Sequence, residues 1–182
     1  MVIMNPVVRK NILNEDDFSV LLNYISSHPN IKDNNYDGYG RKLIGGNGSG
    51  VLESLHNKLT DLAREIFQSK TLVPTYSLFA EYSGKDVLLD KHTDSNACTY
   101  TIDLVVYQNK PWGLWINNEE YIAFPNEAIF FMGEDQEHWR EVKHNNEDVL
   151  GVVFFHYVEP DHWWFTKGPE YVEVIRRNKG YG

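Results

Sequence analysis

The chain has 182 residues, with 17 Lys and Arg against 26 Asp and Glu, a formal net charge of −9 that argues against broad, non-specific attraction to nucleic acid or anionic membrane. Apolar residues make up 42% and charged residues 24%, the balance of a globular domain long enough to bury a core without staples. The lone cysteine, Cys98, excludes an intramolecular disulfide, and neither a signal-type apolar stretch near the start nor a membrane-length apolar run is present, so a cytoplasmic location is expected.

Asn14-Glu15-Asp16-Asp17 has the form of a helix start, a capping Asn followed by acids in the first turn. Phe18, Leu21, Leu22 and Ile25 follow at helical spacing, and Pro29 lies beyond the end. Residues 30–50 are rich in Asn, Asp and Gly and are expected to form a long loop, either a lid or binding loop or a disordered segment. No Gly-Lys-Ser/Thr occurs there and no strand precedes it, which excludes a phosphate-binding loop. Residues 51–68 read as a second amphipathic helix, with Leu52, Leu55, Leu59, Leu62, Ala63, Ile66 and Phe67 as its apolar stripe.

After Pro74 the pattern changes. Strands are predicted at 75–82, 86–91, 99–107, 114–116, 121–124, 128–132, 139–142 and 149–158, separated by turn residues. About eight short strands at this spacing predict a sandwich or barrel of the jelly-roll kind. A short helix is expected over 169–177, with Pro169 at its first position. The whole chain reads as one domain: helical support over 1–74, a β core over 75–160 and a tail over 161–182.

The chemistry concentrates in Lys91-His92-Thr93-Asp94 and, further on, His138-Trp139-Arg140. Residues two apart in an extended segment point to one side, so His92 and Asp94 can aim an imidazole and a carboxylate at a common point. An imidazole from a neighbouring strand would complete the two-His-one-carboxylate face of non-haem Fe(II) oxygenases, whose open positions admit a 2-oxo acid and dioxygen. A His-x-Asp tripeptide alone is common by chance. Here it ends a predicted strand in a β-rich segment. Four later histidines compete to close the triad. His144 reads as a turn residue, His156 as a core residue and His162 as lying past the last strand. His138 follows the Gly133-Glu134-Asp135 turn and opens a strand, so it is the favoured third ligand.

From about residue 75 to 160, roughly half the chain, the sequence resembles the 2-oxoglutarate/Fe(II) dioxygenase superfamily in its prolyl-4-hydroxylase-like branch. The resemblance implies a mainly β fold with flanking helices and a double-stranded β-helix (jelly-roll, cupin-like) core. It implies His92, Asp94 and His138 as ligands of Fe(II), with 2-oxoglutarate as cosubstrate and O2 as oxidant. Tyr82, in Glu81-Tyr82-Ser83-Gly84, and Tyr107, in Val106-Tyr107-Gln108-Asn109, resemble the family's tyrosines that reach the cosubstrate. One departure stands out. The family carries an Arg or Lys after the distal His that pairs with the far carboxylate of 2-oxoglutarate, whereas Asn146-Glu147-Asp148-Val149-Leu150 has no basic residue. A dianion in a partly buried site needs a cation. Arg140 is the expected substitute, because it falls two residues past His138 and its planar fork suits a carboxylate. The alternative is that Arg140 pairs with a structural acid; Lys91 and Lys110 are weaker candidates.

The expected activity is hydroxylation of an unactivated C–H bond of a small molecule or peptide, prolyl peptides included, with release of succinate and CO2. Asp94 occupies the position that a halogenase would vacate, so halogenation is not expected. Two rivals stand beside this reading: a cupin-like metalloenzyme that uses no 2-oxoglutarate, and a non-catalytic β-barrel binding module. No nucleic-acid or membrane partner is expected, and the oligomeric state is left open.

Overall fold

The computed structural model describes residues 4–28, 41–45, 50–84, 87–141 and 147–167. Most of the expected 30–50 loop, His144 and the helix expected over 169–177 lie outside the described residues.

Helix α1 (Glu15–Ser26) begins where the cap predicts, with Asn14 Oδ1 accepting from the Asp17 amide at 2.8 Å. Helix α2 (Gly50–Ile66) turns Leu52, Leu55, Leu59 and Ala63 inward. Both helices cover one face of a six-stranded sheet. That sheet comprises β1 (Val7–Lys10), β2 (Lys42–Gly45), β3 (Val73–Ser83), β5 (Tyr100–Gln108), β8 (Glu127–Phe131) and β10 (Val149–Val158), in the order β1-β8-β5-β10-β3-β2. A four-stranded sheet packs on its other face, from β4 (Leu89–His92), β6 (Leu114–Ile116), β7 (Glu119–Tyr121) and β9 (His138–Arg140), in the order β4-β9-β6-β7. A short helix, α3 (Trp163–Thr166), follows the last strand. From β3 onward the chain passes back and forth between the sheets, and all pairings are antiparallel. This is the expected double-stranded β-helix.

Alternation sorts the side chains into two cores. Phe79, Ile102, Leu104, Phe130, Val153 and Phe155 meet the helices, while Ala80, Tyr82, Val105, Ile129, Phe131 and Val152 face the smaller sheet. Two strands add to the expected set. β1 and β2, four residues each, extend the large sheet at its two edges. The strand expected at 121–124 instead begins at Glu119. Asn117 and Asn118 both take positive φ, 50° and 69°, and close a two-residue hairpin at once. No helix among the described residues is long and apolar enough to cross a membrane.

Within the helix-side core, His56 of α2 packs against the rings of Phe155 and Tyr157, with centroids 5.3 and 4.6 Å away. Burial, then the neighbouring His156, pull its imidazole down from 6.5 to about 3. The unfolded chain therefore takes up this proton below 6.5 and the folded chain does not until about 3. Stability from this group is complete above the unfolded value and is lost as pH falls through that window. Urea unfolding at pH 7 and pH 5 is expected to show His56→Leu losing about 2 kcal/mol less than wild type on acidification. Equal losses would show that His56 takes up its proton equally in both states.

Candidate metal centre

Strand β4 ends on His92 and β9 begins on His138, and the register sets these two residues opposite each other. Their rings lie 4.3 Å apart, centroid to centroid. Asp94 leaves β4 two residues later and is held from two sides. Its amide donates to the Gly133 carbonyl at 2.8 Å, and Thr101 Oγ1 donates to Oδ2 at 3.4 Å. Oδ1 then stands 3.5 Å from His92 Nε2 and 3.6 Å from His138 Nε2. These separations are too long for good hydrogen bonds, yet one ion can touch all three atoms.

The ring orientations have a backbone cause. His92 Nδ1 meets the Asp90 carbonyl at 2.6 Å and His138 Nδ1 meets the Gln136 carbonyl at 2.9 Å. The hydrogen-bond pattern assigns the proton to each Nδ1 and turns each Nε2 toward Asp94, the tautomer a metal ligand needs. Burial alone would raise the Asp94 carboxyl. The charge of His138, with the close approach of both imidazoles, outweighs it and holds the carboxyl well below its ordinary range. Burial lowers the His138 imidazole, but the Asp94 carboxylate more than offsets this and raises it.

Behind the triad, Thr101 Oγ1 also meets His156 Nδ1 at 3.1 Å, so the Asp94 carboxylate is tied to β5 and β10. Asp94, Cys98 and His156 form a second group of close donors. Burial, then the charge of Asp94, push the Cys98 thiol up. A neutral thiol is a poor ligand, so this group supports the triad. His156, lowered by burial to about 4, is a neutral member of the same network.

A cavity between the sheets is lined by the triad together with Arg41, Asp103 and Phe154. The residues expected to hold the cosubstrate divide around it. Tyr82 is fully buried on the inner face of β3, its ring 5.5 Å from Trp112 and its hydroxyl accepting from Arg41 Nη1 at 2.9 Å. Tyr107 is turned away. Alternation would point it inward with Asp103 and Val105, but β10 pairs Gly151 with Tyr107 and Val152 with Val105, leaving Val106 as a bulge. The Tyr107 ring therefore lies over Gly151 on the helix side, where a Cβ would come within 2.6 Å of it, and its hydroxyl donates to Glu81 Oε2 at 2.6 Å. The expectation that Tyr107 reaches the cosubstrate is corrected by that bulge.

Arg140 is also redirected. Its side chain is 1% exposed, with Nη2 on Asp103 Oδ2 at 2.7 Å and Nη1 donating to the Trp112 carbonyl at 2.8 Å. Its fork is thus engaged by a structural acid, the alternative reading of the sequence. Lys91 pairs with Glu137 at 2.7 Å and lies over the Trp139 ring, while Lys110 pairs with Asp148 at 3.2 Å. Arg41, immediately before β2, is a cavity-lining cation that sequence reasoning did not single out. It lies far from the motif, and the adjoining strand is four residues long.

No family model matches the sequence, and no curated protein matches it. Solved structures do match. The non-haem α-ketoglutarate-dependent epimerase SnoN from nogalamycin biosynthesis superposes with a TM-score of 0.67 at 10% identity, over 85% of this chain and 77% of that one. HygX from Streptomyces hygroscopicus, solved with nickel and 2-oxoglutarate bound, gives 0.63 at 9% identity, over 86% and 82%. A prolyl-4-hydroxylase from Pseudomonas putida gives 0.60 at 10% identity, over 83% and 91%. The alternation of strands between the two sheets and these three superpositions together give the chain the double-stranded β-helix fold of the 2-oxoglutarate/Fe(II) oxygenases.

Proposed function

We propose that the protein is a 2-oxoglutarate-dependent Fe(II) oxygenase in which His92, Asp94 and His138 hold the metal. The observation that carries this reading is the convergence of two Nε2 atoms and Asp94 Oδ1, with both Nδ1 atoms occupied by backbone carbonyls. Such a donor set, confined to one face, suits Fe(II) and leaves positions open. The metal-bound neighbours of the same fold support it: HygX is described with nickel and 2-oxoglutarate, and SnoN with Fe3+ and α-ketoglutarate.

When bound, iron and 2-oxoglutarate supply, with O2, the power to break an unactivated C–H bond while succinate and CO2 leave. The protein's residues do the rest. Asp94 gives the site its anionic ligand, and Thr101 restrains that carboxylate. Leu78, Leu114, Phe131 and Phe154 supply the apolar part of an otherwise polar cavity wall and limit water at the reacting centre. The substrate class that this cavity and these neighbours favour is a small molecule or a peptide. Hydroxylation is the reading we adopt, and the fold also carries an epimerase.

The test is succinate production. Purified protein with Fe(II), 2-oxoglutarate and O2 is expected to form succinate slowly even without its prime substrate. His138→Ala is expected to lower that rate at least about 100-fold, beyond the 10–100-fold typical of losing only a ligand's supporting partner. Succinate formation indifferent to His138→Ala would refute the ligand assignment. Wild-type protein that binds iron and yet forms no succinate would favour the metalloenzyme without cosubstrate.

A further inference from the structure

We infer that the protein carries a second binding site, a cleft on the helix side of the large sheet whose Glu159 carboxylate and aromatic floor take a small organic ammonium ion. The cleft encloses about 360 Å3, within the range of small-molecule sites. Met4, Phe67, Ser69, Tyr100, Met132 and Glu159 line it. Phe67, Tyr100 and Met132 belong to the core beneath the helices, so the large sheet separates the cleft from the triad. A ligand here does not compete for the metal ligands, and the inference stands apart from the proposed function.

The cleft forms where α2 and β10 end together. Helix α2 stops at Ile66, and Gln68 closes it with a positive φ of 55°: its amide returns to the Glu65 carbonyl and the Ser69 amide to the Arg64 carbonyl. This turn carries Ser69 to Glu159, the residue after β10. Ser69 Oγ donates to Glu159 Oε1 at 2.7 Å, and Thr71 Oγ1 donates to Oε2 at 2.5 Å. The two hydroxyls fix the carboxylate and leave its charge uncompensated, since no cation pairs with Glu159 among the described residues. Each carboxylate oxygen keeps a lone pair for a further donor. The Tyr100 ring packs on Phe67, centroids 5.0 Å apart, and its hydroxyl has no hydrogen-bond partner among the described residues. Burial, then the charges of Glu159 and Asp135, push this phenol up, so it stays neutral and offers a lone pair to an N–H donor. The Met4 amide donates to Met132 Sδ at 3.5 Å, which brings a polarisable thioether wall against the rings. The carbonyl end of α2 adds partial negative charge. Negative potential and aromatic faces favour a cation over a neutral molecule or an anion. Two acceptors, Glu159 and Tyr100, favour a cation with N–H donors, a primary ammonium, over a quaternary one.

The chain has three methionines, and Met4 and Met132 both line the cleft, so methyl NMR of the methionines reports on it directly. The full-length chain, isotope-labelled at its methionine methyls, is titrated with benzylamine and, separately, with benzyl alcohol and benzoate, in wild type, Glu159→Gln, Tyr100→Phe and Asp94→Asn. Benzylamine is expected to shift the Met4 and Met132 signals saturably, and the neutral and anionic analogues to bind on the order of 10-fold more weakly. Glu159→Gln keeps the shape and removes the charge; it is expected to weaken benzylamine on the order of 10-fold and leave benzyl alcohol unchanged. Tyr100→Phe is expected to cost about 3-fold, and Asp94→Asn nothing. Equal affinities for benzylamine and benzyl alcohol, wild-type affinity in Glu159→Gln, or no shift of either methionine would overturn the inference. So would a loss in Asp94→Asn, which would place the amine at the triad.

Discussion

Gly133→Ala is expected to lower metal affinity at least about 100-fold, although residue 133 contributes no ligand atom. A Cβ on Gly133 would overlap Asp94 Oδ2 and stand 2.7 Å from Thr101 Oγ1 and 2.8 Å from the Cys98 carbonyl. None of these is the loose end of a flexible side chain. The Gly133 carbonyl itself accepts from the Asp94 amide, so the turn after β8 and the proposed metal ligand are locked together. The carboxylate must rotate away from the two histidines to make room. Crowding of a packed site also costs about 1–3 kcal/mol of stability. Metal titration beside urea unfolding separates the two effects, since affinity should fall far more than the stability loss explains. Wild-type affinity in Gly133→Ala would mean that Asp94 does not hold the metal from this position.

Arg140→Met is expected to be the most destabilising substitution at the site, by about 3–5 kcal/mol, because it strands a buried charge. Asp103 is 1% exposed, and Arg140 is the cation that offsets its burial. Burial already raises the Asp103 carboxyl, with the Arg140 charge working against that rise. Without Arg140 the folded value climbs further. A group with a raised folded value favours folding while it is protonated and loses that contribution as pH rises. The deficit in Arg140→Met should therefore grow from acid toward neutral pH. The double variant Arg140→Met with Asp103→Leu should recover most of the loss, as neutral replacements of buried ion pairs do. Urea unfolding of both variants at two pH values checks this. Wild-type stability in the single variant would show the pair to be dispensable.

The convergence of His92, Asp94 and His138 was legible in the sequence because its geometry is local. His92 and Asp94 share a side by strand alternation, and the turn at Gly133-Glu134-Asp135 announced the strand that His138 opens. The helices were legible for similar reasons, from Asn14 and from the apolar spacing of α2. What escaped depends on pairing between distant segments. Strands β1 and β2 are too short to show a period, so Arg41 could not be placed. A single bulged residue, Val106, reversed the side on which Tyr107 emerges. The partner of Arg140 did leave a trace. Asp103 interrupts the apolar run from Ile102 to Val106 in a buried strand, and a buried carboxylate there demands a cation. The trace names the need without naming which arginine meets it.

The central claim is one site that binds Fe(II) through His92, Asp94 and His138 and then binds 2-oxoglutarate. Anaerobic titration of the metal-free protein with Fe(II) followed by 2-oxoglutarate tests it most directly, through the visible metal-to-ligand charge-transfer band. The account expects the band in wild type, saturating at one equivalent of iron, and its loss in His138→Ala. Wild-type protein that binds Fe(II) but develops no band with 2-oxoglutarate would contradict the account.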